Sequence, residues 1–305
     1  MLALTACSPA CTPPEAKNPD TAPQADADAE GEGADAKPPK KKKMLPPGDM
    51  IMEAKGIDLS KLSESQRSTF FQIINSEPSA CDKPHSLATS LREDDKCRDS
   101  LLASQFVADY LQAGAPTSEV RTGLEEVTKA LTPRDIPVEG RAVYGTESAP
   151  VTVVVFADFQ CPHCKQEAPK IRKTVDQFRG RARLIFKHFP LMGHPRAKAA
   201  AIATEAAHEQ GKFWEMHDIV FANQDKLEDG DLLSYAAQIG LDVPKFKTHY
   251  NARKGKAAVE KDKADGEAAE VDGTPAVFVN GRRANGRYIL FGGELSGWID
   301  DALKR

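Results

Sequence analysis

A Cys-x-x-Cys pair, Cys161-Pro162-His163-Cys164, follows directly on the run Val151-Thr152-Val153-Val154-Val155-Phe156. No other feature constrains the fold as much. A near-continuous apolar, β-branched run reads as a strand buried on both faces, the pattern of a mostly parallel sheet covered by helices. Cys-x-x-Cys alone is shared by metal sites, structural bridges and redox centres. Set between a buried strand and a helix, it has the context of a redox pair. At a helix N-terminus, free backbone N–H groups and partial positive charge favour a thiolate on Cys161, and His163 adds a cationic or donating neighbour. Thiols so placed titrate between about 3.5 and 7.5 instead of about 8.5, which favours the reduced form by about 1.4–7 kcal/mol. Pro162-His163 therefore predicts a disulfide donor rather than a strong reductant. A zinc site would need a second pair of ligands; the nearby candidates, His188 and His194, follow a strand and form no second knuckle. A purely structural Cys161–Cys164 bridge would close a loop too short to stabilise much.

Strands and helices alternate from Val138 onward. Arg183-Leu184-Ile185-Phe186 reads as the next strand, and residues 195–270 are helical in pattern, with Phe213, Trp214, His217 and Phe221 among them. Ala276-Val277-Phe278-Val279 is a short strand, and Asn280-Gly281 signals a two-residue hairpin. A closing helix sets Leu295, Trp298, Ile299 and Ala302 on one face. The fold class is thus α/β.

Residues 50–135 read as a small all-α module. Ser63 and Gln66 fit a capping box ahead of Phe70, Phe71, Ile73 and Ile74. Leu102, Phe106 and Tyr110 mark a second helix that stops near Gly114. Val120, Leu124, Val127 and Leu131 mark a third, entered through Pro116-Thr117 and ended by Pro133. Within it, Cys81 and Cys97 flank the turn-rich stretch Asp82-Lys83-Pro84-His85. In an exported protein they are expected to form a structural disulfide stapling the first two helices, worth about 3 kcal/mol for a loop of this size. A second redox pair is the sharper alternative, but no strand precedes Cys81.

Residues 1–49 hold nine of the 21 prolines and no aromatic, and close on Lys40-Lys41-Lys42-Lys43. Such a stretch buries too little to offset its ordering entropy and is expected to be a disordered linker. Leu4-Thr5-Ala6-Cys7 is similar to a bacterial lipobox, which makes Cys7 the expected lipidation site and the linker a tether. The apolar stretch of about 7–15 residues that an export signal needs does not stand before Cys7, so a shortened or misassigned start is expected. Cys11 has no assigned role. The chain carries 41 Lys+Arg against 45 Asp+Glu over its 305 residues; this balance gives no support for a nucleic-acid partner. No stretch approaches the ~20 apolar residues of a membrane span.

Residues 138–305 resemble the DsbA-like branch of the thioredoxin superfamily, the exported bacterial thiol-disulfide oxidoreductases. The likeness rests on Val-Phe-Ala-Asp-Phe-Gln-Cys-Pro-His-Cys (155–164), Lys-His-Phe-Pro-Leu (187–191), Lys-Phe-Trp-Glu-Met-His-Asp-Ile-Val-Phe-Ala-Asn-Gln (212–224) and Gly-Thr-Pro-Ala-Val-Phe-Val-Asn-Gly (273–281). It implies a thioredoxin-like fold with a helical insertion at about 195–270. It makes Cys161 the solvent-facing nucleophile and Cys164 the resolving thiol. It also makes Pro275 a cis-proline facing the pair, with Thr274 beside it as a substrate-binding edge. On its own, Gly273-Thr274-Pro275 would read as an ordinary trans turn. Family members often carry a buried acid six residues before the first cysteine, where this chain has Val155. Asp158, three residues before Cys161, could order the strand-to-helix turn. Phe159, Phe189 and Phe213 could offer apolar contact to unfolded substrates, though packing is the commoner use.

What the resemblance implies is a disulfide-donating enzyme of the periplasm or cell envelope, with no cofactor or metal beyond a redox-active Cys161–Cys164 disulfide. Its partners would be reduced or unfolded envelope proteins, a membrane redox protein that recycles the pair, and the membrane itself through the lipid anchor. An isomerase or reductase of the same fold, or a non-catalytic envelope adaptor built on residues 50–135, are the competing readings.

Overall fold

The computed structural model describes residues 50–284 and 290–305. The proline-rich linker, Cys7 and Cys11 lie outside the described residues. Four helices open the described part: α1 (Glu64–Ser76), α2 (Leu87–Glu93), α3 (Arg98–Gln112) and α4 (Thr117–Leu131). The capping box forms in both directions, with the Ser63 N–H donating to Gln66 Oε1 at 2.9 Å and the Gln66 N–H to Ser63 Oγ at 3.3 Å. Phe70, Phe71, Ile73 and Ile74 are buried, as are Val120, Leu124, Val127 and Leu131 of α4. The sequence pattern predicts three helices here and the structure has four. The extra one, α2, spans seven residues, too few for a 3.6-residue period to stand out. It starts at Ser86, whose hydroxyl accepts from the Thr89 N–H.

The sheet is built from β1 (Val143–Gly145), β2 (Val151–Ala157), β3 (Ala182–His188), β4 (Ala276–Val279) and β5 (Arg282–Arg283), in the order β1-β3-β2-β4-β5. The central pair, β2 and β3, is parallel and joined by α5 (Pro162–Gln177); the outer pairings are antiparallel. Five helices, α6 (Ala197–His208), α7 (Phe213–Ala222), α8 (Asp229–Gln238), α9 (Val243–Asn251) and α10 (Lys256–Ala268), fill the interval before β4, where the sequence pattern places the insertion. Helix α11 (Leu295–Ala302) closes the chain with Trp298 and Ile299 buried. Strand β2 is central because all but one of its residues are buried, which only a doubly covered position satisfies.

The hairpin between β4 and β5 turns on Asn280 and Gly281, both at positive φ (45° and 79°). A Cβ at Gly281 would lie 2.3 Å from the Arg134 carbonyl oxygen, and the Arg134 N–H donates to the Gly281 carbonyl at 2.9 Å. Only glycine admits this approach, which joins the end of the helical region to the sheet edge. An ion-pair network built on two buried carboxylates makes the same join. Asp99 of α3 accepts from Arg282 (3.2 Å) and Arg305 (2.6 Å), while Asp301 of α11 accepts from Arg305 (2.7 Å) and pairs with Arg98. Residues 50–135 and 138–305 accordingly belong to one compact unit, Lys42–Arg305.

Candidate active site

Strand β2 ends at Ala157, and four residues later Cys161 caps α5, with Pro162 at its first position. Pro there loses no helical hydrogen bond, and its fixed φ suits the first turn. The turn between is organised by Asp158, which is buried. One of its carboxylate oxygens accepts from the Gln160 N–H (2.6 Å). The other accepts from the Leu191 N–H (2.8 Å) and contacts His194 Nδ1 (2.8 Å). This acid therefore ties the β2–α5 turn to the loop after β3. A second brace comes from Gln224, just past α7, whose side-chain amide donates to the carbonyls of Phe159 (2.9 Å) and Cys161 (2.8 Å). Both residues stand within the motifs quoted above, but spacing alone says nothing of the brace Gln224 makes across 63 residues of chain.

The two thiols are free and differ in environment. The Cys161 S–H donates to the Thr274 carbonyl oxygen at 3.3 Å. The Thr274–Pro275 peptide bond is cis, and the segment enters β4 antiparallel to β2. Cys161 is 5% exposed, which corrects the solvent-facing placement: the thiol is turned inward to the Thr274 carbonyl, and the exposed residues of the motif are Pro162 and His163. Cys164 sits one turn into α5 at 2% exposure, with its sulfur accepting from the Asp158 N–H at 3.5 Å. Burial pushes its thiol up to about 12, against the pull of the Asp158 N–H, and the neighbouring Cys161 adds to the rise. At neutral pH Cys164 therefore carries its proton.

The other candidates separate. His188 is buried in β3 with Nε2 2.9 Å from Glu205, while His194 holds Asp158, so each imidazole meets its own carboxylate. Phe159, Phe189 and Phe213 are all buried and pack; Phe159 stacks on Phe186 at 5.1 Å. Cys81 and Cys97 form a disulfide with Cα atoms 5.9 Å apart. The bridged segment starts in the connection after α1, contains α2 and ends at the cap of α3. The link thus ties the end of α1 to α3, the first and second helices that the sequence pattern predicts.

A parallel β–α–β core, antiparallel strands at its edges and a Cys-Pro-His-Cys cap on the first core helix define a thioredoxin fold with an inserted helical block. The family model described as thioredoxin matches residues 138–301, more than half of the chain, and the chain belongs to that family. Among solved structures, oxidised BdbD from Bacillus subtilis superposes with a TM-score of 0.50 at 26% identity, covering 57% of this chain and 99% of that one. Two curated relatives are described as Na(+)/H(+) antiporters. NhaA 3 of Salinispora tropica is 46% identical over 149 residues, which is 48% of this chain and 23% of that protein. NhaA 1 of Salinispora arenicola is 40% identical over 183 residues, 59% of this chain and 28% of that protein. The matches thus span about a quarter of the length of these relatives. Among the described residues no helix is long and apolar enough to cross a membrane.

Proposed function

We propose that this chain is a thiol:disulfide oxidoreductase that donates disulfides to proteins of the bacterial cell envelope. The observation that carries the reading is the placement of Cys161. It caps α5 beside the Thr274 carbonyl, with Cys164 protonated behind it. In the oxidised enzyme, a substrate thiolate attacks the Cys161 sulfur, the Cys161–Cys164 bond breaks, and Cys164 leaves and takes up a proton. A second substrate thiolate then attacks the substrate sulfur of the mixed disulfide, the substrate disulfide forms, and Cys161 is released as the thiolate. The N–H groups and partial positive charge at the start of α5 stabilise that leaving thiolate, which supports donation over reduction. Pro162 and His163 are the exposed residues of the motif, and Thr274-Pro275 offers the edge along which an extended substrate lies.

The pair needs no other cofactor. A membrane redox protein would reoxidise it, and Cys7 would hold the domain at the membrane by a lipid anchor, with residues 8–49 as tether. Oxidative refolding of reduced, unfolded ribonuclease tests the donor reading. The oxidised protein should restore ribonuclease activity stoichiometrically, and the Cys161→Ser variant should not. A reduction potential as low as that of thioredoxin, about −270 mV, would reverse the direction to reduction. Incorporation of labelled palmitate, lost in Cys7→Ala, tests the anchor.

A further inference from the structure

The proposed exchange leaves the Cys164 proton without a route. Cys164 is buried, and its sulfur must lose a proton each time it attacks Cys161 and regain one each time it leaves. The side chain faces a small cavity of about 10 Å³, close to the room one water needs. Among the described residues lining it, three side chains ionise: Cys164, Arg172 of α5 and His217 of α7. Arg172 pairs with Asp218, and a guanidinium does not give up its proton in proteins. His217 is left.

The same imidazole also borders the outside. An open groove of about 480 Å³ runs along α5 and α7, and His217, Arg172, Ala168 and Phe221 line both it and the inner cavity. His217 Nδ1 lies 2.8 Å from the carboxylate of Asp218, which is half exposed at the groove wall. A carboxylate there fixes the Nδ1–H tautomer and leaves Nε2 as the acceptor. We propose that His217 takes the proton from Cys164 and returns it, passing it to solvent at the groove beside Asp218. This rests on the oxidoreductase reading above.

In the resolving direction the step balances as follows. Cys164 sulfur bonds to Cys161 sulfur as the bond from Cys161 to a bound thiol partner breaks. The partner leaves as a thiolate, and the Cys164 proton moves to His217. In the donating direction His217 returns it as the substrate thiolate opens the disulfide. The charged groups around the ring set its readiness. Asp218 on its own helix favours the imidazolium; Arg172 from α5 and His188 from β3 oppose it, and His188 is itself paired with Glu205 of α6. Burial prevails and holds His217 below the ordinary imidazole value, so it is neutral and able to accept at pH 7. Lys165, Lys173 and Asp176 line only the outer groove.

The test separates the two thiol steps. Reduced protein is mixed with oxidised glutathione, and quenched-flow mass spectrometry follows formation of the Cys161–glutathione adduct and its resolution by Cys164 between pH 5.5 and 9. In His217→Gln, adduct formation is expected to keep its wild-type rate. Resolution near pH 6.5 should fall about 10²-fold, within the usual range for a lost general base, and become first order in hydroxide. A carboxylate placed in the same cavity by adding Val155→Glu should recover at least about tenfold of that loss, by the same reasoning. Equal slowing of both steps, or an unchanged pH profile of resolution, overturns the proposal. Should His217→Gln not fold, Asp218→Asn serves: resolution must slow and its acid limb must move, and an unmoved limb overturns the proposal equally. Failure of the wild-type protein to form or resolve the adduct would instead refute the oxidoreductase reading.

Discussion

The Cys161 sulfur lies 3.3 Å from the carbonyl oxygen of Thr274, 113 residues away in sequence. Antiparallel pairing of β2 with β4 brings the two together, so the sheet register itself assembles the site. The asymmetry between Cys161 and Cys164 follows from the helix: one residue caps it and the other points back into the core a turn later.

That asymmetry should appear in alkylation. Both cysteines are buried, but burial also holds the proton on Cys164 well above pH 8. Iodoacetamide at pH 8, which takes the thiolate, is therefore expected to label Cys161 ahead of Cys164 in the native reduced protein, and both alike only after unfolding. Peptide mass spectrometry reads the ratio, and equal native labelling would contradict the proton that burial holds on Cys164.

The same burial makes the reduced protein sensitive to alkali. The folded-state value of Cys164, about 12, lies above its ordinary 9.0, so the folded state holds the proton more tightly. Its contribution is complete below about pH 9 and is lost as pH rises through about 12, a total of about 4 kcal/mol. Denaturant unfolding at pH 8 and 10.5 should show a larger loss for the reduced wild type than for Cys164→Ala, which lacks the group.

Gln224 is expected to act on the loop and not on the chemistry. Gln224→Ala removes the donors to Phe159 and Cys161 and should cost about 1–3 kcal/mol for the carbonyls left without them. Hydrogen exchange at the first turn of α5 should rise while that of β3 stays as it was.

The ion pairs at Asp99 and the disulfide should both contribute to stability without touching the exchange chemistry. Asp99→Ala leaves Arg282 without its carboxylate and Arg305 with Asp301 alone, and is expected to cost about 1–3 kcal/mol for the lost charged hydrogen bonds. Replacing Cys81 and Cys97 together by Ser should cost about 3 kcal/mol and leave exchange through Cys161 unchanged. Thermal unfolding and the ribonuclease assay together check both.

The core was legible because its signals are local: β2 in an unbroken apolar run, the β4–β5 turn in Asn280-Gly281, α4 in four apolar residues on one face. What stayed hidden depends on partners far along the chain. Lys187 reads as a break in the apolar pattern of β3, yet it is buried against Asp262 (3.3 Å) and Asp265 of α10. Asp99, Arg282 and Arg305 look like surface charges until the fold brings them together. Cys161 illustrates the limit at the site itself, where helix position was readable and the inward turn toward Thr274 was not.

The central claim is that Cys161 attacks or is attacked while Cys164 resolves, and the Cys164→Ala variant tests it most directly. Expressed in a bacterial envelope and acid-quenched, it should accumulate mixed disulfides with envelope proteins that reducing agent releases and that the added Cys161→Ser change abolishes. If Cys161 stays free in the variant and no mixed disulfide forms, the account is contradicted.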